Sequence, residues 1–159
     1  MPGDTLPKDP FVKVLGGEVD CEAHYLFIKI EVANNNITVG QNTEAIVNFA
    51  VEDGWTYYGK VNGENIEKDS APQKYLNGTY YFYKNNAKTT TDVTYDILVN
   101  DQVTISTEVT KDMYATLTAN KPVVSFWAAA VQSENLPAPV APLTAEDVAF
   151  DLIAWPAET

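Results

Sequence analysis

An apolar run in the last third of the chain, Pro122-Val-Val-Ser-Phe-Trp-Ala-Ala-Ala-Val-Gln132, constrains the fold more than any other stretch. It is too apolar, and too rich in β-branched and aromatic residues, for a surface strand. It reads as the central, doubly covered strand of a sandwich, with Val123, Phe126, Trp127 and Val131 among the most buried residues. A stiff link, Pro137-Ala-Pro-Val-Ala-Pro142, tends to polyproline II and leads into a capped helix expected over 144–155. Thr144 is its N-cap and Glu146 and Asp147 sit in its first turn. Val148, Phe150, Leu152, Ile153 and Trp155 supply its apolar positions, with Phe150, Leu152 and Trp155 expected to cover the sheet. Pro156 closes it, because the residue before a proline is pushed out of the α region.

Upstream, the periodicity is that of strands. Leu26, Ile28, Ile30 and Val32 share one face of a strand near 22–32, and Tyr25, Phe27, Lys29 and Glu31 share the other. Asn34-Asn-Asn36 suits a turn. Further strands are expected near 43–51, 54–61, 78–84, 91–99 and 102–109, and helical periodicity only at 144–155. Residues 1–10 are polar with three prolines and read as mobile. Phe11-Val-Lys-Val-Leu15 is a short β-like run before Gly16-Gly17. The pattern predicts an all-β fold: a jelly-roll-like antiparallel β-sandwich with one short C-terminal helix. Residues 1–17 are expected as an N-terminal extension and 18–159 as a single sandwich domain.

The chain of 159 residues carries a net charge of −12, which opposes binding to nucleic acid or to an anionic membrane surface. Its ten basic residues are all lysines, so the fork-shaped donor favoured for phosphate and carboxylate recognition is missing. Cys21 is the single cysteine and cannot form an internal disulfide. No stretch reaches the roughly 20 apolar residues of a membrane span. No signal peptide is evident, and Met1-Pro-Gly-Asp4 reads as the start of a trimmed chain.

Chemistry-bearing patterns are sparse. His24 stands near Asp20, Cys21 and Glu22, but a metal site needs a further soft ligand, and the bland reading is a histidine at a strand edge. No serine sits in a Gly-x-Ser-x-Gly elbow. Asp92, Asp96, Asp101 and Asp112 are able to ligate calcium but lack the spacing of a calcium loop. The expectation is therefore no catalysis, no metal and no cofactor. Trp55, Tyr57 and Tyr81 form a candidate aromatic surface, either a sugar-stacking platform or, as the favoured reading, cross-strand pairs inside the sandwich.

Three elements together resemble the TasA/camelysin family of secreted Gram-positive proteins. They are Asp53-Gly54-Trp55-Thr56-Tyr57-Tyr58-Gly59-Lys60, the segment Tyr80-Tyr81-Phe82-Tyr83, and Ala129-Ala130-Val131-Gln132 followed by a helix ending Ile153-Ala154-Trp155. The Pro137–Pro142 spacer is additional to the family pattern, and the Ala-Phe/Tyr-Phe start of its mature proteins is missing. The resemblance implies a secreted, extracellular or surface-associated subunit of biofilm-matrix fibres. It would self-assemble with identical subunits by donor-strand complementation, with other matrix proteins or polysaccharide as further partners. Some members are described as metalloproteases, an activity for which this chain has no ligand motif. The alternative is a carbohydrate-binding or adhesin module using Trp55, Tyr57 and Tyr81. For assembly, the candidate donor strand is Phe11, Val12, Val14 and Leu15. It is too apolar for a loose tail, and can pair within its own domain or swing out to augment a neighbour. Val12 and Val14 form the cleaner inserted face, since Lys13 lies on the other.

Overall fold

Residues 24–33, rather than the apolar run of the last third, form the doubly covered central strand. The computed structural model describes residues 1–16 and 22–155, with the backbone alone at 114–116. In chain order its strands are β1 (Thr5–Pro7), β2 (Phe11–Val14), β3 (His24–Ala33), β4 (Asn36–Val39), β5 (Asn42–Ala45), β6 (Val47–Asn48), β7 (Thr56–Asn62), β8 (Asn65–Glu67), β9 (Gly78–Asn86), β10 (Val93–Asp96), β11 (Gln102–Ile105) and β12 (Val123–Gln132). Two helices, α1 (Lys111–Ala119) and α2 (Ala145–Asp151), flank β12 in sequence. The fold is all-β and sandwich-like, built from antiparallel sheets with a short C-terminal helix.

A five-stranded sheet, in the order β12-β3-β9-β7-β8, is the middle layer. On one face Leu26, Ile28, Ile30 and Val32 pack with Tyr80 and Phe82 against Val12, Val14, Tyr95 and Val103 from the smaller sheets. These are β10-β2 and β1-β11-β6. On the other face Tyr25, Phe27 and Tyr81 meet Ala149 and Phe150 of α2 and Trp155 just beyond its end. The alternation along β3 therefore separates two cores, as its sequence predicts, but both faces are buried. Lys29 tolerates this because its amine lies over the Trp127 ring, 4.9 Å from the centroid.

The apolar run is an edge strand. β12 pairs with β3 along its whole length, from Val123↔Ala33 to Gln132↔His24, and stands outermost in the sheet. Val123 is 49 % exposed, and Phe126, Trp127 and Val131 are only half-buried. Its composition reflects layers above and below, and reports nothing about pairing at its outer edge.

Other boundaries shift for local reasons. The strand expected over 43–51 divides: β5 turns back on β4 around Gly40 (φ +63°), and β6 crosses to β11. The strand expected over 91–99 stops at Asp96, ahead of a 3-10 turn, Val99–Asp101, with Asn100 and Asp101 left-handed. Helix α1 has no sequence forecast, since its threonines are weak helix formers and Met113 and Leu117 make a thin apolar stripe. Helix α2 spans Ala145–Asp151, shorter than 144–155, because Leu152 is already its C-cap. Leu152 is 58 % exposed and does not cover the sheet, while Phe150 and Trp155 do. Pro156 lies outside the described residues.

Asn35, fully buried, ties three segments together. Its amide nitrogen donates to the carbonyls of Val47 (3.0 Å) and Tyr75 (2.8 Å), and its side-chain oxygen accepts from Val47 N (2.7 Å). Asn34 takes the left-handed conformation (φ 56°) that starts this turn.

Candidate functional site

The N-terminal segment is built into the domain by two ladders. β1 pairs with β11 at the edge of the three-stranded sheet, and β2 pairs with β10 alone, from Val93↔Val14 to Asp96↔Phe11. Residues 1–10 thus contain an ordered strand where the sequence suggests mobility. Alternation along β2 turns Val12 and Val14 onto the core and leaves Phe11 (57 %) and Leu15 (68 %) exposed. Polar contacts hold both ends of the segment: Lys8 N donates to Asp101 O (2.8 Å) and Gly16 N to Asp92 Oδ1 (2.9 Å). A Cβ on Gly16 would sit 2.7 Å from Thr89 Oγ1 and from Thr91 O, so close packing accounts for this glycine. Gly17, the second half of the expected hinge, lies outside the described residues, as does Cys21.

The candidate aromatic surface is not a surface row. Trp55 (8 % exposed) and Tyr81 (6 %) are buried, and Tyr57 is half-buried. Trp55 and Tyr57 belong to the core shared with the small sheets, Tyr81 to the core under α2. Pairing of Tyr57 with Phe82 and of Gly59 with Tyr81 leaves Tyr58 as the extra residue of a bulge. Tyr57 and Tyr58 point to opposite faces, as successive strand residues do, Tyr57 into the core shared with the small sheets and Tyr58 into the core under α2. The cross-strand reading is the one these burials support: Tyr57 meets Phe82 edge-on at 5.3 Å, and Trp55 donates its indole N–H to Asp96 O (2.9 Å). Burial, followed by the charge and hydrogen bond of Asp69, raises the Tyr57 pKa.

Under α2 the polar chemistry converges on Asp147. Its Oδ1 accepts from the Tyr58 hydroxyl (2.7 Å) and pairs with Lys68 Nζ, and its Oδ2 accepts from Thr144 N (2.9 Å). Burial alone would raise the Asp147 pKa, but Lys68, Thr144 N and Tyr58 together hold it well below the carboxylate range. Burial, then the hydrogen bond and charge of Asp147, push Tyr58 up. This is a latch between helix and sheet. The capping pattern Thr144-x-x-Asp147 was its visible half; Lys68 and Tyr58 had no signal.

Asp9, Asp96 and Asp101 bring one ligand atom each to within 4.8 Å of one another, the only such His, Cys, Asp or Glu grouping among the described residues. Asp96 and Asp101 are thus joined by Asp9 from the β1–β2 link, while Asp92 faces Lys13 (3.5 Å) and Gly16 instead. Desolvation, then repulsion from Asp9 and Asp96, raises the Asp101 pKa. Of the six to eight oxygens calcium takes, three carboxylates could supply between three and six. His24 is the first residue of β3, at the strand edge where the sequence places it, and is buried there. Its Nδ1 lies 2.9 Å from Glu22 O and its Nε2 3.2 Å from the Asn86 amide nitrogen, so both ring nitrogens have a polar neighbour. An open groove of about 500 Å³ between the β4–β5 hairpin and α1 is walled by Asn34, Asn36, Asn77 and Asn120 over Ile46 and Leu117.

The chain matches no known family model, no curated protein and no solved structure.

Proposed function

We propose that this protein is an extracellular structural subunit, without catalytic activity, that assembles into matrix or surface fibres by donor-strand complementation. The observation that carries the reading is the seating of β2. Its ladder involves β10 alone, and two side chains, Val12 and Val14, plug it into the core. The same segment from another copy can make the same ladder and fill the same two positions, so exchange loses no contact. A donor passed from each copy to the next, with no reciprocal return, makes a head-to-tail contact that propagates. Prolines at 7 and 10 keep the donor extended. The carbohydrate-binding alternative has no support from Trp55 and Tyr81, which are buried on opposite faces.

Electron microscopy of the full chain over time tests this. Ordered fibres are expected, with none from a chain lacking residues 1–16. Since that deletion uncovers the core, a second arm adds a synthetic peptide of residues 1–16 to the full chain. The peptide should occupy acceptors and slow elongation, and its Val12→Asp/Val14→Asp counterpart should not. No fibres from the full chain, or elongation indifferent to the peptide, overturns the proposal.

A further inference from the structure

The outer edge of β12 differs from the other edge of the same sheet. β8 is three residues long, ends in Glu67 and is flanked by Glu64 and Lys68, a short, charged edge of the kind that resists pairing. β12 runs ten residues in unbroken register with β3. From Val123 to Gln132 it contains no charge, no proline and no glycine, and Val123, Ala128 and Ala130 are exposed. A strand of that length offers roughly 34 Å of backbone donors and acceptors along one side.

We propose that this edge is a self-association site, taken by β12 of a second copy in antiparallel orientation about a two-fold axis normal to the sheet. The charges at its ends select the orientation. Lys121 precedes the strand and Glu134 follows it. An antiparallel pair brings Lys121 of each copy beside Glu134 of the other, whereas a parallel pair sets like against like.

Symmetry then limits the register. A two-fold axis normal to the sheet keeps each face on its own side, so facing residues are both even-numbered or both odd-numbered. Centring on Ala128 places Phe126 opposite Ala130 of the second copy and Trp127 opposite its Ala129. Each half-buried ring thereby gains a methyl-sized neighbour on its own face, Phe126 on the side of the small sheets and Trp127 on the side of α2. Centring on Trp127 instead sets the two indoles against each other on the axis. The net charge of −12 on each copy opposes the contact at long range, so added salt strengthens it. The contact closes on itself. It joins two copies, and does not depend on exchange of the N-terminal segment.

Ala128→Lys and Ala128→Glu test the axis directly, because position 128 meets its own copy there. Both side chains point to solvent, so the fold should survive, checked by circular dichroism. In analytical ultracentrifugation the wild type should show a two-copy species that strengthens with salt. Each variant alone should associate roughly a hundredfold more weakly, the size expected for like charges about 5 Å apart near a protein surface. An equimolar mixture should restore the pair as a mixed dimer. A wild type that stays single-copy across a concentration series overturns the proposal. So does any assembly, of whatever size, that Ala128→Lys leaves unchanged, or a mixture that fails to re-associate.

Discussion

The Tyr58 hydroxyl donates to Asp147 Oδ1 at 2.7 Å, bridging the bulge of β7 and the first turn of α2. Phe150 closes the same contact from the helix side, stacked on the Tyr58 ring at 4.7 Å and edge-on to Tyr81 at 4.8 Å. The helix is short, and its attachment rests on this cluster more than on its own hydrogen bonds.

Tyr58→Phe should therefore cost about 1 kcal/mol, the net worth of one hydrogen bond. Asp147→Ala should cost roughly 2–4 kcal/mol, because it removes the cap and strands Tyr58 and Thr144 N as well. Phe150→Ala, at a half-buried site, should fall near the lower end of the ~3–5 kcal/mol range for such truncations. Urea unfolding followed by circular dichroism reads all three.

The latch has a defined pH dependence. The folded pKa of Asp147 is depressed, so its contribution is present above the ordinary carboxylate value of about 3.9 and is lost as pH falls through the folded value. Stability measured from neutral pH down to about 5 should not register this group. In stronger acid the wild type should lose its advantage over Asp147→Asn. A difference between the two that is already lost at pH 5 contradicts the assignment.

Asn35→Ala should cost about 3 kcal/mol or more, since it leaves the carbonyls of Val47 and Tyr75 and the N–H of Val47 without their buried partner. Asn35→Asp should be no milder: the new oxygen faces two carbonyls in place of a donor. Thermal unfolding of both variants distinguishes this clasp from an ordinary turn asparagine.

Gly59→Ala should destabilise by roughly 1–3 kcal/mol through overpacking. A Cβ there would run into Ile66 Cγ2 and lie 2.8 Å from Glu67 O, forcing β8 off β7. Loss of hydrogen-exchange protection should be concentrated in Lys60–Glu67.

The Asp9–Asp96–Asp101 group sets carboxylates against one another across the β1–β2 link. Its raised Asp101 pKa means repulsion is fully present above that value and is relieved as pH falls through it. Asp9→Asn should increase exchange protection of the Lys8 and Ile97 amides at neutral pH, and the gain should shrink on acidification. Equal protection in both proteins at neutral pH would count against the repulsion.

Much of the fold is legible where one residue type answers one physical demand. The two faces of β3 follow from strict alternation, and α2 begins where Thr144 and Asp147 announce a cap. The edge position of β12 is not legible, because apolar content records whether a strand's faces are covered and nothing records an absent neighbour. Trp55, Tyr57 and Tyr81 look alike in sequence, yet they belong to two cores: Tyr57 pairs opposite Phe82 on the face it shares with Trp55, and Tyr81, one residue before Phe82, points the other way. Asn34, Asn35 and Asn36 read equally as turn residues, and only packing singles out the middle one. Lys68 carries no local mark at all, since its partner is brought to it by the helix.

The ladder between β3 and β12 also orders events in time. His24–Ala33 is among the first strands made and finds its outer partner only in Val123–Gln132, close to the end of the chain. Closing so wide a loop precedes any reward from the contacts it brings, which makes folding slow relative to chains with local pairing. A growing or threading chain of this sequence cannot complete its central sheet from one end. It stays open until its last third arrives, and then closes as a unit.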